Sequence, residues 1–304
     1  MGPDDHLGIA LSGGPDSLAL LILAQRAAPH RVVAATVDHG LRQEAAEEAT
    51  YCAGICRKLN VPHTTLNVLE PLTGNIQAEA RKARYALLQA WASNQKIRYI
   101  LTAHHAEDQA ETFLMRLKRA SGVSGLAGVR KINGNIVRPL ANWRREELAK
   151  LVSNANIDAV NDPSNRNQNF DRVRARIFLR DMKLSDSEFF DIESISRSAQ
   201  NLADADDALN WAVNHHFDQL VQLAEGEAFL SEAFVDVPHE IQRRILIQTL
   251  TMLDDTLIIR KSGLENVLLN MRTQAKAMIG NWLITPSTSK NAAWHISRAP
   301  QRKA

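Results

Sequence analysis

The chain has 304 residues, of which 45% are apolar and 23% charged, enough to bury a full core and to hold two domains. The net charge of +2 is the balance of two opposed stretches: 14 Lys/Arg against 5 Asp/Glu from Arg116 to Arg180, then 2 against 13 from Asp181 to Asp236. Two cysteines, Cys52 and Cys56, exclude a disulfide-built secreted scaffold, and no apolar run reaches the roughly 20 residues of a membrane helix. With no signal peptide before the first strand, the cytosol is the expected compartment. On charge alone the plain reading is two solvated faces of opposite sign; the functional one is a basic face for an acidic partner such as nucleic acid.

In chain order, Leu7–Leu11 reads as a buried strand, Ser17–Ala28 as an apolar helix and Val32–Val37 as a β-branched strand. Glu44–Leu59 has helical periodicity; Cys52 and Cys56 sit on it at i,i+4, where packing is the ordinary role of a free cysteine. His63–Val68 is a third strand, Ile76–Ser93 an amphipathic helix, Arg98–Ala103 a fourth strand and Ala106–Leu117 a further helix. This alternation predicts a Rossmann-like α/β domain, a parallel sheet with helices on both faces. From Gly122 to Asn169 the chain is looser, with a helix at Trp143–Asn156. Beyond Leu184 it turns acidic and helical to about Ala224. There follow a strand at Ala228–Val235, a helix opened by Pro238, a helix near Leu264–Met271 and strands at Ala277–Ile284 and Ala293–Ser297. The expected division is a catalytic domain over 1–184, a helical linker over 185–225 and a small α+β domain over 226–304. A homodimer is left open.

Three polar motifs fall at the carboxyl ends of predicted strands, where open α/β sheets bind their ligands. The first, Ser12-Gly13-Gly14-Pro15-Asp16-Ser17, joins a strand to a helix start. Glycines let backbone N–H groups approach a phosphate, and a helix N-terminus favours the anion. No lysine follows the glycines, so this is not a Walker A loop. Asp16 would repel bare phosphate, so its sensible partner is Mg²⁺. The plainer alternative is a strand-to-helix turn with Asp or Ser as N-cap. The second motif, Asp38-His39-Gly40-Leu41-Arg42, brings a histidine able to contact phosphate or shuttle protons. The third, Thr102–Asp108, holds His104 and His105, one expected to face a nucleotide and the other to pack. Asp108 and Glu111 are i,i+3 on one helix and share a face that suits an ammonium group.

These segments resemble the PP-loop ATP pyrophosphatases, and within them the lysidine synthases. The strand-SGGxDS-helix element is joined by Val37-Asp38-His39-Gly40-Leu41-Arg42, similar to VDHGLR, and by Asn75-Ile76-Gln77 with Ala80-Arg81-Lys82-Ala83-Arg84-Tyr85, similar to NxQxxARxxRY. Thr102-Ala103-His104-His105, Asp108-Gln109, Glu111-Thr112 and Leu114-Met115-Arg116-Leu117 resemble TAHHxxDQxETxLMRL. Arg138-Pro139-Leu140, Asp162-Pro163-Ser164-Asn165 and Arg172, Arg174 and Arg176 complete a match over about residues 7–180. One departure is Arg119-Ala120-Ser121-Gly122 in place of Arg-Gly-Ser-Gly, which costs stability if that position needs a positive φ. Another is the length, which resembles the family's short form.

The resemblance implies an enzyme that adenylates the wobble cytidine of the CAU-anticodon isoleucine tRNA and then joins free lysine to it, releasing AMP and pyrophosphate. It implies ATP and Mg²⁺ at Ser12, Gly13, Gly14, Pro15, Asp16, Ser17 and His104, with Asp16 on the metal. It implies catalytic roles for Asp16, Asp38, His39, Asp108 and Glu111, and lysine binding by Asp108, Glu111, Arg81 and Arg176, with Arg84 and Arg172 as further anion-binding candidates. Arg116, Lys118, Arg119, Arg130, Lys131, Arg144 and Arg145 are the candidates for tRNA phosphates, although each taken singly reads as a solvated surface charge. His215 and His216 lie outside the match and read as structural. A PP-loop thiolase is the nearest alternative, but Cys52 and Cys56 lack the Cys-x-x-Cys spacing of an iron–sulfur site. Synthetase relatives that carry a glutaminase leave no region here for it. A non-catalytic nucleotide-binding module would need neither the carboxylate pair nor the basic stretch.

Overall fold

The β-branched and apolar runs at the start of the chain form strands because they are buried on both faces, and the computed structural model shows where they lie. It describes residues 5–40, 44–69, 73–74, 76–160, 171–184, 191–288 and 292–300. Leu41, Arg42, Asn75, the side chain of Gln77 and Asp162–Asn165 lie outside the described residues. Contacts divide the chain into Met1–Ala203 and Asp204–Ala304.

The first unit runs β1 (His6–Ala10), α1 (Pro15–Ala27), β2 (Val32–Asp38), α2 (Glu44–Lys58), β3 (His63–Asn67), α3 (Ile76–Asn94), β4 (Ile97–Leu101) and α4 (Ala106–Lys118). It continues with α5 (Val123–Leu126), β5 (Ile132–Asn133), β6 (Ile136–Val137), α6 (Arg145–Asn154), α7 (Asp171–Leu184) and α8 (Ile192–Leu220), the division falling within α8. The sheet order is β3-β2-β1-β4-β6-β5, parallel except for the β5–β6 edge pair. Leu18, Leu21, Cys52, Ile55, Leu148 and Val152 of α1, α2 and α6 form one core with β1. Leu88, Trp91 and Ala92 of α3 form another with Ile97 and Ile100. Gly8 permits this second contact: a Cβ there would lie 2.7 Å from the Trp91 ring. Because β2 and β4 flank β1 on opposite sides, the chain reverses its order beside β1, which opens a crevice at the carboxyl ends of these strands.

Several helices end in a residue of positive φ that is not glycine: Asn60 after α2, Lys96 after α3, Ala120 after α4, Asn156 after α6 and Gln274 after the later Lys261–Arg272 helix. At α4 the closure is a Schellman motif, with Ala120 N–H donating to Leu117 O at 2.9 Å and Ser121 N–H to Arg116 O at 3.1 Å. Ala120 has φ +49°, so the position does need the left-handed conformation. Asparagine tolerates that region through local hydrogen bonds, whereas alanine has only the steric penalty. Ala120→Gly is therefore expected to stabilise the protein by about 1 kcal/mol, read as a higher urea midpoint at unchanged slope. No change in the midpoint would show that the cap is relaxed.

The second unit contains the end of α8, β7 (Val221–Ala224), β8 (Glu227–Leu230), a 3₁₀ turn (Glu232–Val235), α9 (His239–Leu253), α10 (Lys261–Arg272), β9 (Ala277–Ile279), β10 (Trp282–Pro286) and β11 (Trp294–Arg298). Its sheet is antiparallel in the order β7-β8-β11-β10-β9. Its core holds Trp282, Trp294, Phe234, Ile245 and Leu230. Three sequence expectations are corrected here. Helix α8 stops at Leu220, and Val221–Ala224 pairs with β8 across the tight turn Glu225-Gly226. The Ala228–Val235 strand ends at Leu230, where the 3₁₀ turn buries Phe234. The Ala277–Ile284 strand is a hairpin folded at Gly280, φ +57°. Two-residue hairpins need such backbone and leave little trace in hydrophobic pattern.

Candidate active site

A cleft of about 1140 Å³ opens at the β1 switch point. Ser12–Ser17 forms one wall. Gly13 has φ +77°, and a Cβ there would lie 3.0 Å from Val160 and 3.2 Å from the Cys52 sulfur, so this glycine is needed on two counts. The Val160 N–H donates to Gly13 O at 3.0 Å, and Tyr51 donates from its hydroxyl to Asp158 O, fastening the 157–160 segment beside the loop. Cys52 is thus remote from the loop in sequence but packs beneath it. Burial pushes its thiol pKa up and that of Cys56 to about 12, so both are inert packing groups. The N-cap of α1 is Gly14, not Asp or Ser, with no side-chain cap and with Pro15 in the first turn. The Ser17 hydroxyl donates to Gly14 O at 3.0 Å and accepts from the Ser12 N–H at 3.2 Å. The helix start therefore keeps its amide donors for a ligand.

The β2 end supplies His39 but not Asp38. His39 lines the cleft, its Nδ1 is buried without a hydrogen-bond partner among the described residues, and burial followed by the Arg84 charge lowers its pKa. Asp38 instead accepts the Gly40 N–H at 2.8 Å, closing the turn that presents His39, and is absent from the cleft lining. From α3, Arg81 and Arg84 line the same wall, with guanidinium carbons 5.0 and 5.4 Å from the Tyr85 ring centroid.

At the β4 end both histidines reach the cleft. His104 hydrogen-bonds Thr102 at 3.0 Å; burial, with the charges of Arg138, Arg172 and Arg81, lowers its pKa to about 3, so it is a neutral ring. His105 is the opposite case. Burial alone would lower its pKa, but hydrogen bonds to Asp16 and Glu107 and the charge of Asp108 push it up to about 10. Burial would likewise raise Glu107, but His105, Arg144 and the Arg145 backbone hold it down at about 2.

Asp108 and Glu111 do share a face, and α7 fills it. Arg172 Nη2 lies 2.9 Å from Asp108 Oδ1, and its Nε lies 2.8 Å from Glu111 Oε2. Arg176 Nε lies 2.7 Å from Glu111 Oε1. Glu111 is 1% exposed and sits beneath the two arginines, outside the lining, whereas Asp108, Arg172 and Arg176 line the cleft. The expectation that both carboxylates meet a ligand therefore narrows to Asp108. Gln109 is structural: it accepts the Val129 N–H at 2.8 Å and holds the Gly128 turn.

The basic candidates separate by position. Arg145 lines the cleft, Arg144 donates to Glu107 at 2.8 Å, and Arg130 donates to Ala203 O at 2.7 Å. Lys118 and Arg119 are exposed and share Asp171, at 3.4 and 3.0 Å. Arg116 and Lys131 are exposed. The Trp211 and His215 rings stack at 5.3 Å in the second unit, where His216 meets His215 edge-on.

A PP-loop domain model matches residues 2–182. The tRNA(Ile)-lysidine synthase of Novosphingobium aromaticivorans is 38% identical over all of this chain and 92% of its own length. That of Zymomonas mobilis is 36% identical over 98% of this chain and 89% of its own length. The chain belongs to the tRNA(Ile)-lysidine synthase family. Membership in this PP-loop family carries ATP use with it. The structure of the U34-tRNA thiolase NcsA from Methanococcus maripaludis, with its 4Fe–4S cluster, shares the fold at a TM-score of 0.56 and 16% identity, over 66% of this chain and 72% of that one.

Of the residues singled out in the sequence, the loop, His39, His104 and Asp108 line the cleft, and the His105–Glu107 pair was not foreseen. A histidine following a strand and a glutamate two residues later carry no local signal that they will bond. This pair makes stability depend on pH. His105 contributes fully below its ordinary value of 6.5 and loses that contribution as pH rises toward 10. Glu107 contributes above 4.5 and loses it as pH falls toward 2. Between pH 7 and 9.5 the urea midpoint of the wild type is expected to fall more steeply than that of His105→Gln. Parallel curves would remove the charged assignment.

Proposed function

We propose that the chain is a carbon–nitrogen ligase that converts the wobble cytidine of the CAU-anticodon isoleucine tRNA to lysidine, using ATP and free lysine. The observation that carries this reading is the full-length match to relatives of that name, together with a phosphate-ready loop facing the cleft. In the first step the C2 carbonyl oxygen bonds to the α-phosphorus of ATP and the bond to pyrophosphate breaks. In the second the ε-nitrogen of lysine bonds to C2, the bond to AMP breaks and the amine releases its proton. A ring carbonyl oxygen is a poor leaving group, and AMP is a good one.

Mg²⁺ fits one place. The Asp16 Oδ1 is buried with no hydrogen-bond partner among the described residues, beside a loop suited to phosphate. A hard cation taking that carboxylate, phosphate oxygens and water would neutralise developing phosphate charge. The chain supplies loop amides and Ser17 to orient the phosphates, and neutral His104 and His39 to border the nucleotide. We assign the lysine ammonium to Asp108 and its carboxylate to Arg81 and Arg176, with Glu111 holding Arg176. The surrounding arginines favour the neutral form of the ε-amine, which is the nucleophile.

Exposed Arg116, Lys118, Arg119 and Lys131, and the 204–304 unit, are assigned to tRNA. Binding should then weaken log-linearly with salt, with a slope of about −0.9 per phosphate contact. A flat response in a filter-binding titration counts against this surface. The function itself is tested by incubating the chain with ATP, radiolabelled lysine and unmodified CAU tRNA. Label should enter the tRNA, with one AMP formed for each lysine. AMP formation without lysine transfer, or neither, would refute the reading. A thiolase reading has no support in the two cysteines, both buried, Cys52 beneath the loop and Cys56 in the core.

A further inference from the structure

Glu107 occupies one of the two unspecified positions in the TAHHxxDQ segment and carries no role in the function proposed above. An acidic residue in the first turn of a helix ordinarily complements the dipole from solvent. Glu107 does not face solvent: its side chain is 15% exposed and accepts three hydrogen bonds. His105 Nδ1 lies 2.9 Å from Oε2, Arg145 N–H 3.0 Å from the same oxygen, and Arg144 Nε 2.8 Å from Oε1. With Nδ1 engaged, the ring turns its Nε2 toward Asp16 Oδ2 and Asp108 Oδ2, each 3.5 Å away. The ring is 5% exposed. The segment entering α6 is fixed to α4 independently, by Ala106 N–H on Trp143 O at 3.0 Å, and α6 is capped within itself by Arg144 N–H on Glu147 at 2.7 Å.

We propose that Glu107 is a positioning residue: it orients the His105 ring so that Nε2 spans Asp16 and Asp108, and anchors that ring on α6. The two carboxylates it spans are those assigned to the nucleotide and to lysine, so one carboxylate sets the spacing between the two halves of the reaction. An imidazole held through one nitrogen by a carboxylate presents the other in a fixed direction, and behind metal-bound histidines loss of such a partner costs about 10–100-fold in metal affinity or activity. The catalytic part of this inference rests on the lysidine-forming reading; the geometric part does not.

The test uses the full chain and two variants, Glu107→Gln and Glu107→Ala, with Arg144→Ala as the outer link. With CAU tRNA and ATP, Glu107→Gln is expected to lower kcat for pyrophosphate release about 10–100-fold with KM for ATP within about twofold. Its thermal midpoint should stay above the assay temperature. Arg144→Ala should give a smaller loss, and combining it with Glu107→Gln should add little. Wild-type kcat in Glu107→Gln overturns the proposal. So does a loss of kcat in either variant that merely follows unfolding. Independently of activity, ¹⁵N-histidine NMR of the wild type should show a hydrogen-bonded Nδ1–H of His105 that disappears in Glu107→Ala, which has no acceptor left. If the wild type forms no pyrophosphate, the functional reading has failed and this signal alone decides. Identical spectra overturn the positioning role.

Discussion

Replacing Asp16 by alanine is expected to lower AMP and pyrophosphate formation at least about 100-fold while the protein stays folded. The direction follows from what surrounds the carboxylate. It sits in the first turn of α1, where the loop leaves amides for an anion, and one oxygen is buried and unpartnered among the described residues. A negative group beside a phosphate site opposes binding unless a cation lies between them. If Asp16 only complemented the helix dipole, its removal would cost about 0.3–1 kcal/mol of stability and would improve phosphate binding. The two roles therefore predict opposite signs. Pyrophosphate release measured across a Mg²⁺ titration distinguishes them. A variant with normal release, or with tighter ATP binding and no metal dependence, removes Asp16 from the metal. The neutral isostere Asp16→Asn should resemble alanine, since charge is what the ion requires.

The parallel half of the fold was legible because each strand is a short apolar run and each helix a longer periodic one, and because its polar motifs sit at strand ends. Gly13 and Gly14 signalled backbone approach, and the departure at Ala120 pointed to the left-handed cap found there. What was not legible depends on contacts between distant segments. Arg172 and Arg176 cover Glu111 from about sixty residues away, a pairing no local pattern records. Cys52 lies under Gly13 because α2 packs on the same core as α1, although the two are far apart in the chain. In the second unit, Val221–Ala224 continues a helical pattern without a break, and its partner strand rather than its own propensity makes it β.

Asp108→Asn is expected to raise the KM for lysine by about 10–100-fold with pyrophosphate release little changed, the usual loss for one hydrogen bond to a charged group. Lysine arrives as a cation, with a side-chain pKa of about 10.4, yet must react as a neutral amine. A site built only of carboxylates would capture it and then hold its proton. Here Asp108 is already paired with Arg172 and with the His105 backbone, at 2.9 and 3.0 Å, and burial is outweighed by the charges of His105 and Arg172, so its pKa is lowered. Such a carboxylate can orient an ammonium without binding its proton tightly, and the neighbouring guanidiniums push the ε-amine toward neutrality. Glu111 acts differently, because Arg172 and Arg176 separate it from the cleft. Glu111→Gln should weaken lysine use only by loosening Arg172 and Arg176, so adding it to the Arg172→Ala, Arg176→Ala double variant should cause little further loss. Asn at 108 keeps the cap acceptor, so a rate loss that saturating lysine overcomes identifies lost binding, and a rate loss that persists at saturation identifies Asp108 as the proton acceptor. Wild-type lysine dependence in Asp108→Asn would place the substrate ammonium elsewhere in the cleft, and a further loss from Glu111→Gln in the Arg172→Ala, Arg176→Ala background would return Glu111 to direct contact with lysine.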